Sequence, residues 1–288
     1  MEFVKSHGAG NDFVLIADLD DRLGTLPAPL IATLCDRHRG VGADGLIRIA
    51  PDAGADFFMD YYNADGGVAE MCGNGIRCLA KYVADRGLIA GDTLRVGSRG
   101  GTKELVLYRD ADGLVERVRV DMGPPEFDRA RIPLAGVGDP LHQSITVAGS
   151  DLVAACVSMG NPHCVVFVDR LEGVDVEHLG PAVETHPLFP AKTNVEFTEV
   201  LDRRNVRVRV WERGVGETQA CGTGACATGV AASLRGLTDR LVNVHFPGGT
   251  VEVAWTDHTV FLTGPAVEVF RGTLDPHVER AMPAASTR

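Results

Sequence analysis

Met71-Cys72-Gly73-Asn74-Gly75 and Ala220-Cys221-Gly222-Thr223-Gly224 are two copies of one pattern, in which a cysteine precedes Gly-x-Gly. Each copy opens a run of small and apolar residues with helical spacing. Gly-x-Gly lets the chain turn sharply into a helix, and the first N–H groups of a helix have no partner within it. Because a helix N-terminus carries partial positive charge, it binds a carboxylate and favours a thiolate. The two copies therefore predict a pair of thiols that face one small anion.

The two cysteines belong to a longer internal repeat. An offset of 149 residues relates Cys72 to Cys221, and offsets of 148 to 150 relate four further matches in the same order: Asn11 and Asn161, Tyr62-Asn63 and Trp211-Glu212, Arg86-Gly87-Leu88 and Arg235-Gly236-Leu237, and Gly100-Gly101-Thr102 and Gly248-Gly249-Thr250. Met122-Gly123-Pro124 and Thr263-Gly264-Pro265 follow as a fifth match in the same order, at an offset of 141. Ordered matches at a nearly constant offset indicate a duplication. The sequence thus predicts two α/β domains, residues 1–120 with a C-terminal return strand at about 266–280, and residues 121–265.

The coarse pattern of elements is consistent with such units. Strands are predicted within Phe3–Asp18, Leu46–Ile49, Asp56–Tyr62 and 93–120, and a final strand from Val267 to about Leu274. Helices are predicted within Pro27–Arg37 and from Cys72 to Arg86-Gly87. The last residues, Pro283–Arg288, are predicted to be disordered.

Composition limits the classes of function. The 288 residues are 45% hydrophobic and 23% charged, and the formal net charge of −11 argues against nucleic acid as the main partner. No apolar run approaches the roughly 18 residues of a membrane span, and the N-terminus lacks the layout of a signal peptide. Seven cysteines do not suggest a disulfide framework. We therefore expect a soluble, cytoplasmic protein with free thiols and no membrane partner.

Two other uses of the cysteine motifs fit less well. Five residues separate Cys72 from Cys78 and four separate Cys221 from Cys226, whereas structural zinc ligands usually occur as C-x2–4-C. Residues six or five positions apart on a helix also point away from each other, so no metal is predicted. Gly222–Ala227 matches a dinucleotide fingerprint, but the residues before it are polar and do not form a buried strand. No cofactor is predicted. We expect Cys35, Cys78, Cys156, Cys164 and Cys226 to be packing residues.

Two thiols on either side of a carboxylate suggest proton transfer at a stereocentre. One thiolate removes the α-proton from one face, and the opposite thiol returns a proton to the other face. A helix N-terminus can lower the pKa of a thiol, while one of the two must stay protonated, so the pair titrates as a unit. The backbone amides of Gly73, Asn74, Gly222 and Thr223 are expected to stabilise the charge that develops next to the carboxylate.

At these residues the chain resembles the diaminopimelate epimerase family over nearly its whole length. Seven motifs carry the resemblance: His7-Gly8-Ala9-Gly10-Asn11-Asp12-Phe13, Asn63-Ala64-Asp65-Gly66, Met71-Cys72-Gly73-Asn74-Gly75, Gly160-Asn161-Pro162-His163, Thr193-Asn194-Val195-Glu196-Phe197, Trp211-Glu212-Arg213-Gly214 and Ala220-Cys221-Gly222-Thr223-Gly224. The resemblance implies cofactor-independent interconversion of LL- and meso-2,6-diaminopimelate, in lysine and peptidoglycan biosynthesis. It also implies two pseudo-symmetric domains, each a mixed sheet wrapped around a central helix, and a homodimer.

The resemblance also implies roles for single residues. Cys72 and Cys221 are the acid–base pair, and His163 and Glu212 are auxiliary catalytic residues. The backbone amides of Gly73-Asn74 and Gly222-Thr223 hold the reacting carboxylate. The cleft that binds the substrate is lined by Asn11, Asn63, Asn161, Asn194, Glu212 and Arg213. A guanidinium suits the distal carboxylate of such a substrate, and carboxylate and amide oxygens suit its distal ammonium group.

Three positions depart from the pattern of the family. Gly45 stands where some members carry a glutamine that lines the cleft, so that side-chain contact is absent. Thr223 replaces a common serine, and a backbone contact would survive the change. Phe270 stands where some members have a tyrosine at the dimer contact, so its hydroxyl hydrogen bond would be lost.

Two alternatives stay open at this point. The proline racemase class shares paired Cys-Gly-x-Gly turns, but there a histidine follows the first Cys-Gly, where this chain has Asn74. Glu212 and Arg213 favour a substrate with a second charged end. A non-catalytic amino-acid-binding protein on the same scaffold would need neither thiol.

Overall fold

The computed structural model describes residues 1–147 and 149–275, which form two compact units. Unit 1 consists of residues 1–120 together with the chain from 264 onward, and unit 2 consists of residues 121–263. The part of the predicted return strand beyond residue 275 and the predicted disorder of Pro283–Arg288 lie outside the described residues. No helix in the described ranges is long and apolar enough to cross a membrane.

Unit 1 contains two helices and eight strands. The helices are α1 (Ala28–Cys35) and α2 (Gly73–Asp85). The strands are β1 (Glu2–Gly8), β2 (Asn11–Ala17), β3 (Gly45–Ala50), β4 (Phe57–Asn63), β5 (Thr93–Gly97), β6 (Lys103–Arg109), β7 (Val115–Gly123) and, from the end of the chain, β17 (Val267–Thr273). The helix and strands predicted for this half of the chain are confirmed, with boundaries shifted by a few residues.

Unit 2 contains two helices, α3 (Val176–Glu184) and α4 (Gly222–Leu234). Its strands are β8 (Gln143–Val147), β9 (Ser150–Ser158), β10 (Pro162–Val168), β11 (Asn194–Asp202), β12 (Asn205–Glu212), β13 (Gly216–Thr218), β14 (Leu241–Phe246), β15 (Gly249–Trp255) and β16 (Val260–Pro265). Strand β12 illustrates why these segments are extended, because Val206, Val208 and Val210 are buried while the residues between them are partly exposed.

The order of the strands repeats between the units. In unit 1 the order is β17-β1-β2-β3-β4-β5-β6-β7, and the pairs are antiparallel except β2–β3 and β4–β5. In unit 2 the order is β8-β9-β10-β11-β12-β14-β15-β16, and the pairs are antiparallel except β10–β11 and β12–β14. Each parallel pair thus occupies the same place in both sheets, which supports a duplication. Strand β17 takes in unit 1 the place that β8 takes in unit 2.

In each unit one central helix packs against most of the strands. Helix α2 contacts β1, β2, β3, β4, β6 and β17, and helix α4 contacts β9, β10, β11, β14 and β15. Both helices are almost entirely buried, which explains the small residues of α4. The predicted fold of a mixed sheet around a central helix is confirmed.

The repeated Arg-Gly-Leu ends both central helices in the same way. Gly87 and Gly236 have φ angles of 66° and 71°, which favour glycine. The Leu88 N–H donates to the Val83 carbonyl, and the Leu237 N–H donates to the Ala232 carbonyl. This bond from the second residue after the C-cap is the Schellman motif. The repeat in the sequence therefore encodes the same helix stop twice.

Candidate active site

Cys72 and Cys221 are the N-cap residues of α2 and α4. Both have extended backbones, with φ of −138° and −124°. Each sulfur accepts a hydrogen bond of 3.4 Å from the third residue of its helix, from the Gly75 N–H in unit 1 and the Gly224 N–H in unit 2. The thiols therefore occupy the place of a capping oxygen, beside the positive end of a helix dipole.

The Cys72 cluster consists of the residues that touch this thiol in unit 1. The Cys72 thiol is partly exposed and lies 3.7 Å from Oδ1 of Asn11. The same oxygen accepts from Asn74 Nδ2 at 3.1 Å, while Asn11 Nδ2 donates to Asp44 at 2.7 Å. Asn11 and Asn74 are thus brought together at the sulfur.

Arg77 holds the first turn of α2 in place. Its side chain is fully buried, and it donates to the Gly73 carbonyl at 2.9 Å, to Asn74 Oδ1 at 2.9 Å and to the Pro265 carbonyl at 3.2 Å. A guanidinium carries enough donors to serve all three oxygens. Arg77 therefore fixes both the helix start and the Asn74 side chain, a role that the sequence analysis did not identify.

Asn63 and Gly45 face each other at the ends of neighbouring strands. Asn63 is the last residue of β4, is partly exposed, and pairs with Gly45 at the start of β3. A Cβ atom at Gly45 would lie 2.5 Å from the Tyr62 carbonyl oxygen and 2.6 Å from the Tyr61 ring. The Tyr61 ring therefore occupies space that a larger residue at position 45 would need, and the absence of a glutamine follows from this packing.

The Cys221 cluster consists of the residues linked to this thiol in unit 2. The Cys221 sulfur lies 3.5 Å from the Thr223 hydroxyl oxygen, which accepts from Asn161 Nδ2 at 3.3 Å. Asn161 Oδ1 in turn lies 3.0 Å from Nε2 of His163, whose side chain is fully buried. The threonine that replaces the common serine thus keeps its hydroxyl in this chain of contacts.

Protonation in the Cys221 cluster differs from the expectation that a helix N-terminus lowers the pKa of its thiol. Burial raises the pKa of Cys221 well above its usual range, the charges of Glu212 and Glu196 add to this, and the bonds from Thr223 and Gly224 oppose it only in part. Burial also raises the pKa of Glu212, although hydrogen bonds from Thr218 and the Cys221 thiol oppose the rise. The surroundings of Cys221 therefore favour the protonated form of this thiol.

Arg213 lies on an exposed turn that buried groups hold in place. The Asn194 side chain accepts from the Arg213 N–H at 2.9 Å and donates to the Pro162 carbonyl at 2.9 Å. Glu184 accepts from the Gly214 N–H at 3.0 Å. The guanidinium makes one bond, of 3.2 Å, to the Ala191 carbonyl. Asn194 thus positions the turn, while most donors of Arg213 have no partner among the residues that the structure describes.

The other predicted residues lie as follows. Phe270 is on β17, 47% exposed, and its ring makes an edge-to-face contact with Phe3 at 6.1 Å. All seven cysteines are free thiols. Burial raises the pKa of Cys35 to about 11 and that of Cys78 to about 12, as expected for packing residues.

Besides Arg77, sequence reasoning missed three polar residues that support these clusters. They are Asp44, which holds Asn11, Glu196, which binds His163, and Thr218, which binds Glu212. A signal existed for Glu196, because it is a charged residue inside the apolar run Val195–Phe197 of a predicted motif. No comparable signal marks Asp44 or Thr218.

Comparisons with known proteins agree on one family. The family model for diaminopimelate epimerase matches residues 3–127 and 155–269. A diaminopimelate epimerase from Moorella thermoacetica is 51% identical over 276 residues, covering 94% of this chain and 98% of that protein. One from Heliobacterium modesticaldum is 47% identical over 279 residues, covering 95% and 99%.

Solved structures share the fold at much lower identity. A hydroxyproline epimerase from Agrobacterium vitis matches with a TM-score of 0.70 and 16% identity, over 94% of this chain and 91% of that one. A probable proline racemase from Agrobacterium radiobacter matches with a TM-score of 0.72 and 15% identity, over 99% and 98%. At such identities the likeness concerns the fold alone.

Proposed function

Since this chain belongs to the diaminopimelate epimerase family, it is an isomerase that converts LL- to meso-diaminopimelate in lysine biosynthesis, and we propose that Cys72 and Cys221 transfer the protons. One thiolate takes the α-proton while the other thiol gives a proton to the opposite face of the same carbon. No bound cofactor takes part in this scheme. The observation that carries the proposal is the pair of equivalent helix caps, each with a thiol in the capping position.

Glu212 completes the proton balance at Cys221. Burial keeps Cys221 protonated, so it starts as the acid for one direction of the reaction. For the reverse direction it must lose its proton, and the Glu212 carboxylate accepts the hydrogen bond of this thiol. Because burial raises the pKa of Glu212 toward that of a thiol, transfer of the proton from sulfur to this carboxylate costs less than transfer to an ordinary glutamate.

The charged groups of the substrate suit the donors of the two clusters. The reacting carboxylate is held by the backbone N–H groups at the start of the two helices, at Gly73-Asn74 and at Gly222-Thr223, where the helix dipole also favours an anion. The distal carboxylate is held by the Arg213 guanidinium, which makes a single bond within the described chain. In this proposal Asn11, Asn63 and Asn161 lie beside the substrate, and Asn194 acts by holding the turn that carries Arg213.

Deuterium exchange tests the reaction directly. The reduced protein in deuterated buffer is expected to incorporate deuterium at an α-carbon of LL- and meso-diaminopimelate, while proline stays unlabelled. Exchange into proline without exchange into either diaminopimelate isomer would contradict the assignment and favour the proline racemase class.

Variants of the two cysteines test the two-base scheme. Cys72→Ala and Cys221→Ala should each abolish epimerisation, because each leaves one face of the α-carbon without an acid or base. Cys35→Ala is the matched control, since it removes a thiol from a packing position. Full epimerase activity in either of the first two variants would end the scheme.

We propose further that the protein is a cytoplasmic homodimer. The cytoplasm keeps thiols reduced, which the scheme requires of both cysteines. Strand β17 exposes Val267, Val269 and Phe270, apolar side chains suited to contact with a second copy. Light scattering should give twice the chain mass of 30.7 kDa, and Phe270→Asp should shift the protein toward the monomer. A monomer in the parent protein would refute the dimer.

A further inference from the structure

A buried carboxylate outside the predicted site touches His163. Glu196 lies on β11, and its side chain is fully buried. Its Oε1 lies 2.7 Å from Nδ1 of His163, and its Oε2 has no hydrogen-bond partner among the residues that the structure describes. Burying a carboxylate with an unused oxygen costs free energy, because the charge loses its hydration. Because Glu196 costs stability at this position, its presence there needs an explanation other than packing.

Glu196 stands at the far end of a line of polar contacts that reaches the Cys221 sulfur. From Glu196 the line runs to Nδ1 of His163, from Nε2 of His163 to Asn161, from Asn161 to the Thr223 hydroxyl, and from there to the sulfur. Its four links measure 2.7, 3.0, 3.3 and 3.5 Å. Both nitrogens of the ring therefore lie within hydrogen-bond distance of an oxygen.

The duplication provides an internal comparison for this carboxylate. The parallel pair His163–Asn194 of unit 2 corresponds to the pair Phe13–Gly45 of unit 1, so Glu196 corresponds to Ile47. The two side chains also stand in the same place beneath the central helix. A Cβ atom on Gly224 would lie 2.7 Å from Glu196 Oε1, and one on Gly75 would lie 2.7 Å from Ile47 Cδ1.

The fold therefore accepts an apolar residue where unit 2 has the carboxylate. Phe13 and Ile47 are fully buried and bear no ionisable group. Among the described residues at these equivalent positions, the carboxylate and the histidine lie beneath the Cys221 helix, and apolar residues take their places beneath the Cys72 helix. The two units therefore differ chemically beneath two equivalent thiols.

We propose that Glu196 is a positioning residue for the reaction: it holds a proton on Nδ1 of His163 and so fixes the hydrogen bonds around the Cys221 sulfur. Glu196 acts through His163, and it touches neither the thiol nor, in this proposal, the substrate. A ring held by a charged acceptor at Nδ1 presents Nε2 to Asn161 in one orientation. Asn161 then directs the Thr223 hydroxyl toward the sulfur.

Two substitutions separate this role from packing. Glu196→Ile introduces the residue that unit 1 uses at the equivalent position, and it removes the acceptor of Nδ1. Glu196→Gln keeps the shape and an acceptor oxygen but removes the charge. The matched control is Thr198→Val, two residues along the same face of β11, because Thr198 is also fully buried and its hydroxyl has no partner among the described residues.

The proposal rests on the proposed epimerase function, so the assay is the conversion of LL- to meso-diaminopimelate. Glu196→Ile should lower kcat by about tenfold or more, since a mispositioned acid–base group costs on this order. KM should change by less than about twofold, because no substrate contact is lost. Glu196→Gln should fall between this variant and the parent, and Thr198→Val should match the parent.

Nuclear magnetic resonance of ¹⁵N-histidine-labelled protein provides the second readout. The parent, Glu196→Gln and Thr198→Val should show a proton on Nδ1 of His163 that exchanges slowly, and Glu196→Ile should lose it. A role of Glu196 confined to packing would not affect that proton, and the change in kcat separates positioning of the Cys221 cluster from a purely structural hydrogen bond. Parent kcat in a folded Glu196→Ile would overturn the proposal. If Glu196→Ile does not fold, Glu196→Gln decides, and parent kcat there would overturn it.

Failure of the proposed function is distinguishable from failure of this inference. A parent protein that converts neither diaminopimelate isomer refutes the function, whatever the variants do. In that case the Nδ1 proton still reports whether Glu196 holds His163, and its absence in the parent would overturn the inference independently.

Discussion

Raising the pH from about 8 to about 10 should lower the free energy of unfolding, in part through the buried thiol of Cys78. The variant Cys78→Ala has no such thiol, so its free energy of unfolding should fall by less. Cys78 lies inside α2, is 1% exposed, and burial raises its pKa from 9.0 to about 12. A group whose pKa is raised by folding contributes stability that is complete below its unfolded pKa. That stability is lost as the pH rises toward the folded value.

The magnitude follows from the two pKa values. At about pH 8 the thiol is protonated in both states, so the contribution is complete. At about pH 10 the thiolate outweighs the thiol about tenfold in the unfolded chain, while the folded chain keeps the thiol. The parent should therefore lose about 1.4 kcal/mol through this group alone. The result hardly depends on whether the folded pKa is 11 or 12, because both lie above the higher pH.

Urea denaturation at both pH values, with a reductant, measures this difference. The destabilisation caused by Cys78→Ala should be about 1.4 kcal/mol smaller at about pH 10 than at about pH 8. Ile76→Val on the same buried helix is the control, since it removes one methyl group and no titratable group, and its cost should be equal at both pH values. Equal costs for Cys78→Ala at the two pH values would refute the reasoning.

Three further predictions concern the two clusters and their support. Arg77→Met should lower the free energy of unfolding by about 2–4 kcal/mol, because three buried oxygens lose a charged donor, and chemical denaturation checks this. Iodoacetamide near neutral pH should alkylate Cys72 before Cys221, since Cys221 is 6% exposed and burial raises its pKa. Mass spectrometry of the peptides reports the order of alkylation, and the reverse order would contradict this prediction. Burial alone would raise the pKa of Asp12, but hydrogen bonds from two cations hold it well below its usual range. The Asp12 carboxylate therefore contributes to stability above about pH 4, and this contribution is lost at lower pH. The Tm of Asp12→Asn should thus be lower than that of the parent, and the difference should become smaller as the pH falls below about 4.

The elements and the reactive cysteines could be predicted because their signals are local. Cys-Gly-x-Gly marks a helix start within five residues, and Arg-Gly-Leu marks a helix stop within three. The offset between Cys72 and Cys221 needs no knowledge of distant contacts, since it compares the sequence with itself. These features do not depend on how the strands are arranged, so they could be predicted from the sequence alone.

The partners of the predicted residues could not be read in the same way. His163 and Glu196 are 33 residues apart, and only the parallel pairing of β10 with β11 brings them together. The raised pKa of Cys221 likewise depends on burial and on Glu212, which come from packing around the whole helix. A helix dipole can be inferred from a motif, whereas loss of hydration depends on every neighbouring element.

The position of β17 near the end of the chain has a consequence for folding during translation. Unit 2 is one uninterrupted segment, so all its strands are available once residue 265, the end of β16, has been translated. Unit 1 is translated first, but one edge of β1 has no partner strand until β17 has been translated. The half of the protein that is made first is thus the half that is finished last. A premature stop between the two units would release a chain with an unpaired edge strand, the feature that promotes aggregation.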